Sequence, residues 1–505
     1  MLDNIEKFAS ETDARVPPRR LRRGPARLMY EALAEGNLSE IQRAQASEFL
    51  VTQLQAVGRV DADLPEDVHD IHAWIQDGAE RTGHAYREYL SERKIGAPRR
   101  YFDNRSHALH FLKGVAPTKL VDGAWLYGLL GHDDDPRFAE LIRIYLEELG
   151  SGMPGKNHVV LYQKLLAAND CDHWQELTDD HYVQGAIQLA MACNSEDFLP
   201  EIIGFNLGYE QLPLHLPITA YELNELGIDP YYFTLHVTVD NADTGHAQRA
   251  LQGLLAAQPK QGDPRAFYRR VRNGYLLNEL GAGTLSVIES FDLQREIVGV
   301  FERKAVMGKH MHSDYCRVGG RSVTDWLSTP GQVPAFLGAL EANGWIKRHQ
   351  HPRNSRFWQL LQGDRAEMFG VFSDTEQQLI HDWISGDALW PGRGSRGEVE
   401  AGTVVFPPRQ SSFRARQRFL DNQDASDPKS LTDADDKNCG ERSVMLGGAE
   451  LDADMRMLNE QISGSAGRRQ LMSVLADWMS PALHHTKPGL MATRLFAARF
   501  NAGTR

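Results

Sequence analysis

The stretch Tyr231-Tyr-Phe-Thr-Leu-His-Val-Thr-Val-Asp-Asn-Ala-Asp-Thr-Gly-His246 constrains the fold more than any other part of the chain. At about 100° per residue, His236, Asp240 and Asp243 fall within about 60° of one another on a helix. Tyr231, Tyr232, Phe233, Leu235, Val237 and Val239 flank them, so the helix is apolar nearly all round and belongs in an interior. A buried carboxylate needs a cationic partner or a metal. An imidazole with two carboxylates is a ligand set for iron or manganese. One helix supplies too few ligands for a protected site, so facing helices must bring the rest.

Candidates lie in the same region. Glu148 ends a helical pattern inside an apolar stripe of Leu141, Ile144 and Tyr145, and ten residues later His158 opens the next helix. Glu210 is a polar residue in the apolar segment Gly204 to Pro213, and Asp122 precedes the apolar run Gly123-Ala-Trp-Leu. Each also has a plainer reading. Asp122 suits a helix N-cap, which is the favoured reading for it taken alone. Glu148 alone reads as a solvated carboxylate, as does its neighbour Glu147. His158 alone reads as a helix-start histidine, and Glu210 as the partner of a buried Arg or Lys. His246 lies about 80° round the helix from His236, a poorer fit than Asp243, and reads as an outer partner of a ligand. It is the set, on four apolar helices, that points to a site.

These residues resemble a known pattern. Asp122-Gly-Ala-Trp-Leu, Glu148-Leu-Gly-Ser-Gly followed by His158, Glu210, and His236-Val-Thr-Val-Asp240 are similar to the haem-oxygenase-like iron-containing redox enzymes, also called haem-oxygenase-like diiron oxidases. The resemblance covers roughly residues 100 to 255. It departs from the family at Asp243, where the pattern has His, and at Asp122, where several relatives have Glu. The resemblance implies a helical bundle, two irons per chain and O2 as co-substrate. It also implies N-oxygenation, desaturation or C–C cleavage of a small amine- or carboxylate-bearing metabolite, such as an amino acid or fatty acid. On this reading Glu148, His158 and Glu210 hold one iron and His236, Asp240 and Asp243 the other. Asp122 bridges or closes the set, and either Asp243 or His246 completes the second site. The alternatives are a haem-binding or haem-degrading protein on the same fold, and a binding protein acting through its C-terminal unit.

The fold class expected is therefore mainly α: a haem-oxygenase-like bundle over residues 96–290, an N-terminal helical region over 1–95, and a smaller α+β unit over 291–395. In that unit Ser322-Val-Thr-Asp-Trp-Leu and Val333 to Glu341 read as helices. Asn343-Gly-Trp-Ile-Lys-Arg and Arg356-Phe-Trp-Gln-Leu-Leu read as short strands, the order of a winged-helix module. Its aromatics interleaved with Arg and His read as packing rather than as a nucleic-acid surface. Residues 396–448 read as a flexible linker and 449–505 as a helical tail with Leu458, Leu471, Val474, Leu475 and Trp478 as its stripe. His310-Met-His312-Ser-Asp314, His349 and His351 read as surface histidines, and His484-His485 as a solvated loop pair.

Composition sets the outer bounds. A formal charge of −13 argues against general affinity for nucleic acid or anionic membrane, and no apolar run is long enough to span a bilayer. The N-terminus lacks a signal-peptide profile, and Cys171, Cys193, Cys316 and Cys439 are scattered, so a cytoplasmic setting with reduced thiols is expected. No Gly-rich dinucleotide fingerprint opens a helix, so electrons come from the substrate or an external donor. The assembly state is open, a homodimer included.

Overall fold

A computed structural model describes residues 23–58, 62–239, 245–313, 315–362, 366–368, 370–388 and 447–503. Among these the chain is mainly helical, and its strands, Arg317–Val318 and Arg321–Ser322, form a two-residue antiparallel ladder. Helix starts follow local chemistry. Ser39 and Gln42 make a reciprocal capping box ahead of Glu40–Val57, and Asn104 and Asn157 accept backbone N–H bonds at the starts of Arg105–Gly114 and His158–Ala167.

One hydrophobic core joins the N-terminal helices, the central bundle and the tail. Leu33, Leu50, Ile71, Trp125, Tyr145, Ile203, Leu254, Leu475 and Phe496 all belong to it. A second core gathers Phe102, Phe111, Tyr162, Leu223, Tyr232 and Phe233, and a third is confined to residues between Ile297 and Ile384. The tail's Leu458, Leu475 and Trp478 are buried as its periodicity requires.

Helices Leu199–Tyr209 and Pro264–Leu276 cross at backbone contact. A Cβ added to Gly204 would lie 1.8 Å from the Val271 carbonyl oxygen, and one on Gly274 would lie 2.0 Å from that of Glu201. Only glycine permits this approach. Elsewhere, Glu222 is fully buried and its carboxylate accepts from Tyr89 Oη at 2.7 Å and from the backbone N–H groups of Arg100, Tyr101 and Phe102. It pins the helix His215–Glu225 to the turn after the long helix Ile71–Lys94.

Two expectations are corrected. The single helix expected from Pro230 to Leu255 is two, Tyr231–Val239 and His246–Ala257, with Gly245 extended ahead of the second. Glycine in extended backbone suits the residue before a helix and not a helix interior. Asp240 and Asp243 lie outside the described residues. The winged-helix order is also not found among the described residues. Gly344, at φ +71°, follows the helix Val333–Ala342, and Arg356–Gln362 is helical. Its buried residues, Phe357 and Leu361, are four apart, the helical spacing and not the alternation of a strand. The aromatics of this unit do pack internally: Arg356 stacks on Trp345 and Arg348 on Trp383. Residues 389–446, with most of the expected linker and Cys439, lie outside the described set, and Cys171, Cys193 and Cys316 are free thiols. No helix among the described residues is long and apolar enough to cross a membrane.

Candidate metal centre

Six buried side chains converge between the central helices in two overlapping groups. Asp122, Glu148, His158 and His236 form one, and Glu148, Glu210 and His246 the other; within each, the ligand atoms all lie within 4.8 Å of one another. Five of the six stand at helix ends or turns. Glu148 is the last residue of Ala139–Glu148, His158 the first of His158–Ala167, and His246 the first of His246–Ala257. Glu210 is the C-cap of Leu199–Tyr209, and Asp122 sits in the turn before Ala124–His132. Only His236 projects from within a helix.

The tautomers tell what the cluster lacks. His236 Nδ1 donates to the Tyr232 carbonyl at 2.8 Å, so in a neutral ring Nε2 turns its lone pair on Asp122 Oδ2, 3.2 Å away. His246 repeats the problem. Its Nε2 meets Glu147 Oε2 at 2.9 Å, while Nδ1 faces Glu210 Oε2 at 3.0 Å and Glu148 Oε1 at 3.2 Å. A neutral imidazole donates once, yet both rings have acceptors at both nitrogens. His158 Nδ1 lies 2.5 Å from Glu148 Oε2 and 3.6 Å from Asp122 Oδ2, and Asp122 Oδ1 is buried with no hydrogen-bond partner among the described residues. Lone pairs aimed at one another in a dry interior call for positive charge between them. In the protein alone a proton on the imidazoles supplies it; a divalent cation fits the same donor set.

The proton affinities follow. Burial works against charge on His158, but Glu148 and Asp122 outweigh it and raise the ring to about 10. Burial likewise opposes ionisation of Asp122, yet Lys119, His158 and His236 hold its carboxyl well below the usual range. Glu148 is lowered against its own burial by His158 and His246. Burial and the charge of Asp122 raise the Tyr232 phenol, which stays protonated and donates to Asp122 Oδ2 at 2.6 Å. Lys119 reaches the neighbouring Tyr209 hydroxyl at 3.0 Å.

The favoured N-cap reading of Asp122 gives way: its side chain makes no cap bond and is taken by Tyr232 and His236. Glu148 is buried and grouped, so the solvated reading of it falls too, and Glu210 is buried beside His246 and Glu148. His246, expected either as an outer partner or as the residue that completes the second site, stands among the grouped residues at the start of its helix. Among the described residues His158 and His236 fall in one group, Glu210 and His246 in the other, and Glu148 in both. Asp240 and Asp243, assigned to the second iron, lie outside the described residues. Glu147, expected in solvent, bonds His246 and pairs with Arg249; burial opposes its charge, but these two partners hold its carboxyl low. His484, expected in a solvated loop, is buried, accepts from Asn157 Nδ2 at 3.1 Å, and burial pushes its ring down to about 3. A carboxylate–histidine pair such as Glu147–His246 spans 99 positions and leaves no local signal.

Histidines of the 291–388 unit do not join such a group among the described residues. His310, His349 and His351 are exposed and His312 half-buried, as expected of surface histidines; Asp314 lies outside the described residues.

Residues 109–278, which contain all six grouped side chains, match the family model described as iron-containing redox enzyme, over about a third of the chain. Comparison with curated proteins and with solved structures gives no match.

Proposed function

We propose, taking as premise that residues 109–278 are those of an iron-containing redox enzyme, that the two groups hold a pair of irons and that the protein is a non-haem oxygenase or oxidase. The observation that carries this reading is Glu148, whose Oε2 turns to His158 and whose Oε1 turns to His246, so one carboxylate serves both groups. Asp122, His158 and His236 would complete one iron's ligands, and Glu210 and His246 the other's. A ferrous pair, when bound, supplies the electrons that reduce O2 and so drive oxidation of a substrate.

The chain's own residues do the rest. Tyr232 and the Tyr232 carbonyl orient Asp122 and His236, and Glu147 orients His246, which fixes the ring nitrogens that face the centre. The apolar shell of Trp125, Tyr162 and Phe233 excludes bulk water. Three carboxylates to three imidazoles favour the more oxidised iron, as O2 reduction requires. The substrate proposed is a small amine- or carboxylate-bearing metabolite, with any further electrons from an external donor. A haem site is disfavoured because each buried histidine of the centre faces a carboxylate.

The test is to load metal-free protein anaerobically with ferrous iron, count the iron retained, and admit O2 with a panel of amino acids and fatty acids. Two irons per chain and substrate-dependent O2 uptake are expected. No retained iron, or undiminished iron in a His236→Ala/His246→Ala variant, would sink the assignment.

A further inference from the structure

The family match ends at residue 278, yet the tail, residues 447–503, packs against the segment that joins two of the grouped residues. That segment, 149–157, runs from the end of the Glu148 helix to the start of the His158 helix. Three successive residues in it take left-handed backbone: Gly150 at φ +61°, Ser151 at +50° and Gly152 at +81°. Non-glycine residues resist this conformation, so the segment does not hold its shape by local preference alone.

Three contacts from the tail hold it. Tyr145, in the Glu148 helix, donates its buried hydroxyl to the Met479 carbonyl at 2.6 Å. Arg494 Nε donates to the Gly152 carbonyl at 2.9 Å, and the tail backbone passes so close that a Cβ on Gly152 would lie 2.3 Å from the Leu490 carbonyl oxygen. The third contact is the most directed. Asn157 is fully buried, and its Oδ1 accepts from Val160 N at 3.0 Å, capping the helix that begins at His158. Its Nδ2 donates to the Leu149 carbonyl at 3.3 Å and to His484 Nδ1 at 3.1 Å. The neutral His484 ring thus fixes which way the Asn157 amide points, and with it the first turn that carries His158.

We propose that the tail is a built-in part of the metal centre, with His484 a positioning residue that sets His158 against Glu148 through Asn157. The inference rests on the metal-centre reading above. It assigns to residues outside the matched family segment a share in holding the ion faced by Asp122, His158 and His236.

The experiment compares wild type with His484→Ala, His484→Gln and Arg494→Ala in the full chain. Each is titrated anaerobically with ⁵⁷Fe(II), and Mössbauer spectra, circular dichroism and Tm are recorded. His484→Ala is expected to weaken one of the two irons by roughly 10- to 100-fold, the range for partners that orient a ligand. It should change one quadrupole doublet and leave the other. His484→Gln, which restores an acceptor for the Asn157 amide, should recover most of that loss. Arg494→Ala, at an exposed position, should weaken the same iron less and serves if His484→Ala does not fold. Wild-type occupancy and spectra in a folded His484→Ala, or in Arg494→Ala where that variant stands in, would overturn the inference alone. So would equal damage from Ala and Gln, the mark of packing without orientation. Wild type that takes up no iron would overturn the metal centre and this inference together.

Discussion

Among the places where the described residues bury carboxylates, two have surroundings that differ in kind. Glu222 is met by a phenol hydroxyl and backbone N–H groups, all donors, so its charge is satisfied by protein alone. Asp122, Glu148 and Glu210 are met largely by imidazoles whose other nitrogens are already engaged, and by one another. The first arrangement is complete as it stands and pins two chain segments together. The second is complete only when a cation, proton or metal, sits among the lone pairs. A buried carboxylate is therefore a sign of chemistry when the donors around it, such as the single Tyr232 hydroxyl at Asp122, are too few for the acceptors gathered there.

The sharpest way to break this comparison is to exchange the two glutamates' fates. Glu148→Ala is expected to lower affinity for both irons by more than roughly 100-fold, beyond the range for outer partners. Glu222→Ala should leave iron content unchanged, with metal analysis as the readout. Retention of one tight iron by Glu148→Ala would show that it does not serve both groups. The converse concerns stability. Glu222→Ala orphans buried donors and should cost about 3 kcal/mol in denaturant unfolding, whereas Glu148→Gln should cost the metal-free protein less, since Asp122 still faces the charged His158. Glu147→Ala comes next, with a loss of roughly 10- to 100-fold for the iron faced by His246 and little change in Tm.

A smaller effect separates the states by pH. The His158 ring is raised from 6.5 to about 10 in the folded, metal-free protein, so its stabilising contribution is complete below 6.5 and lost as pH rises to about 10. Asp122 and Glu148 are shifted down, so theirs is lost on the acid side instead. Melting of metal-free protein should fall between pH 6.5 and 10, and the iron-loaded form, with no proton there to lose, should fall less. Equal slopes would contradict a charged His158. The smallest effect expected is none: His310→Ala with His312→Ala should leave iron content and Tm unmoved.

What was legible in the sequence followed its periodicity. The helices around Glu148, His158, Glu210 and His236 were readable because their apolar spacing is helical and their buried faces are continuous. Periodicity served the site less well. It placed His236 on a face with Asp240 and Asp243, which lie outside the described residues, and it ran one helix on through His246, where the described chain has two. Glu148, His158, Glu210 and His246 stand at helix ends, where a face angle has no meaning, so the first three were found as polar residues in apolar helical segments and by resemblance, not by a shared helix face. Glu147, Asn157 and His484 were missed because their roles depend on partners far away in the chain. The second unit failed as a winged helix because Trp345 and Phe357, read as strand aromatics, pack from a turn and a helix.

The glycine crossing of Gly204 on Gly274 has a consequence for how the protein breathes. Helices that meet through side chains can slide by rotamer changes, but Leu199–Tyr209 and Pro264–Leu276 meet peptide against peptide and have no such slack. Turning either would drive carbonyls into backbone. Glu210, at the end of the first, is therefore carried on a helix pair that cannot slide, and the metal centre has one carboxylate whose place is set by backbone and not by side-chain packing.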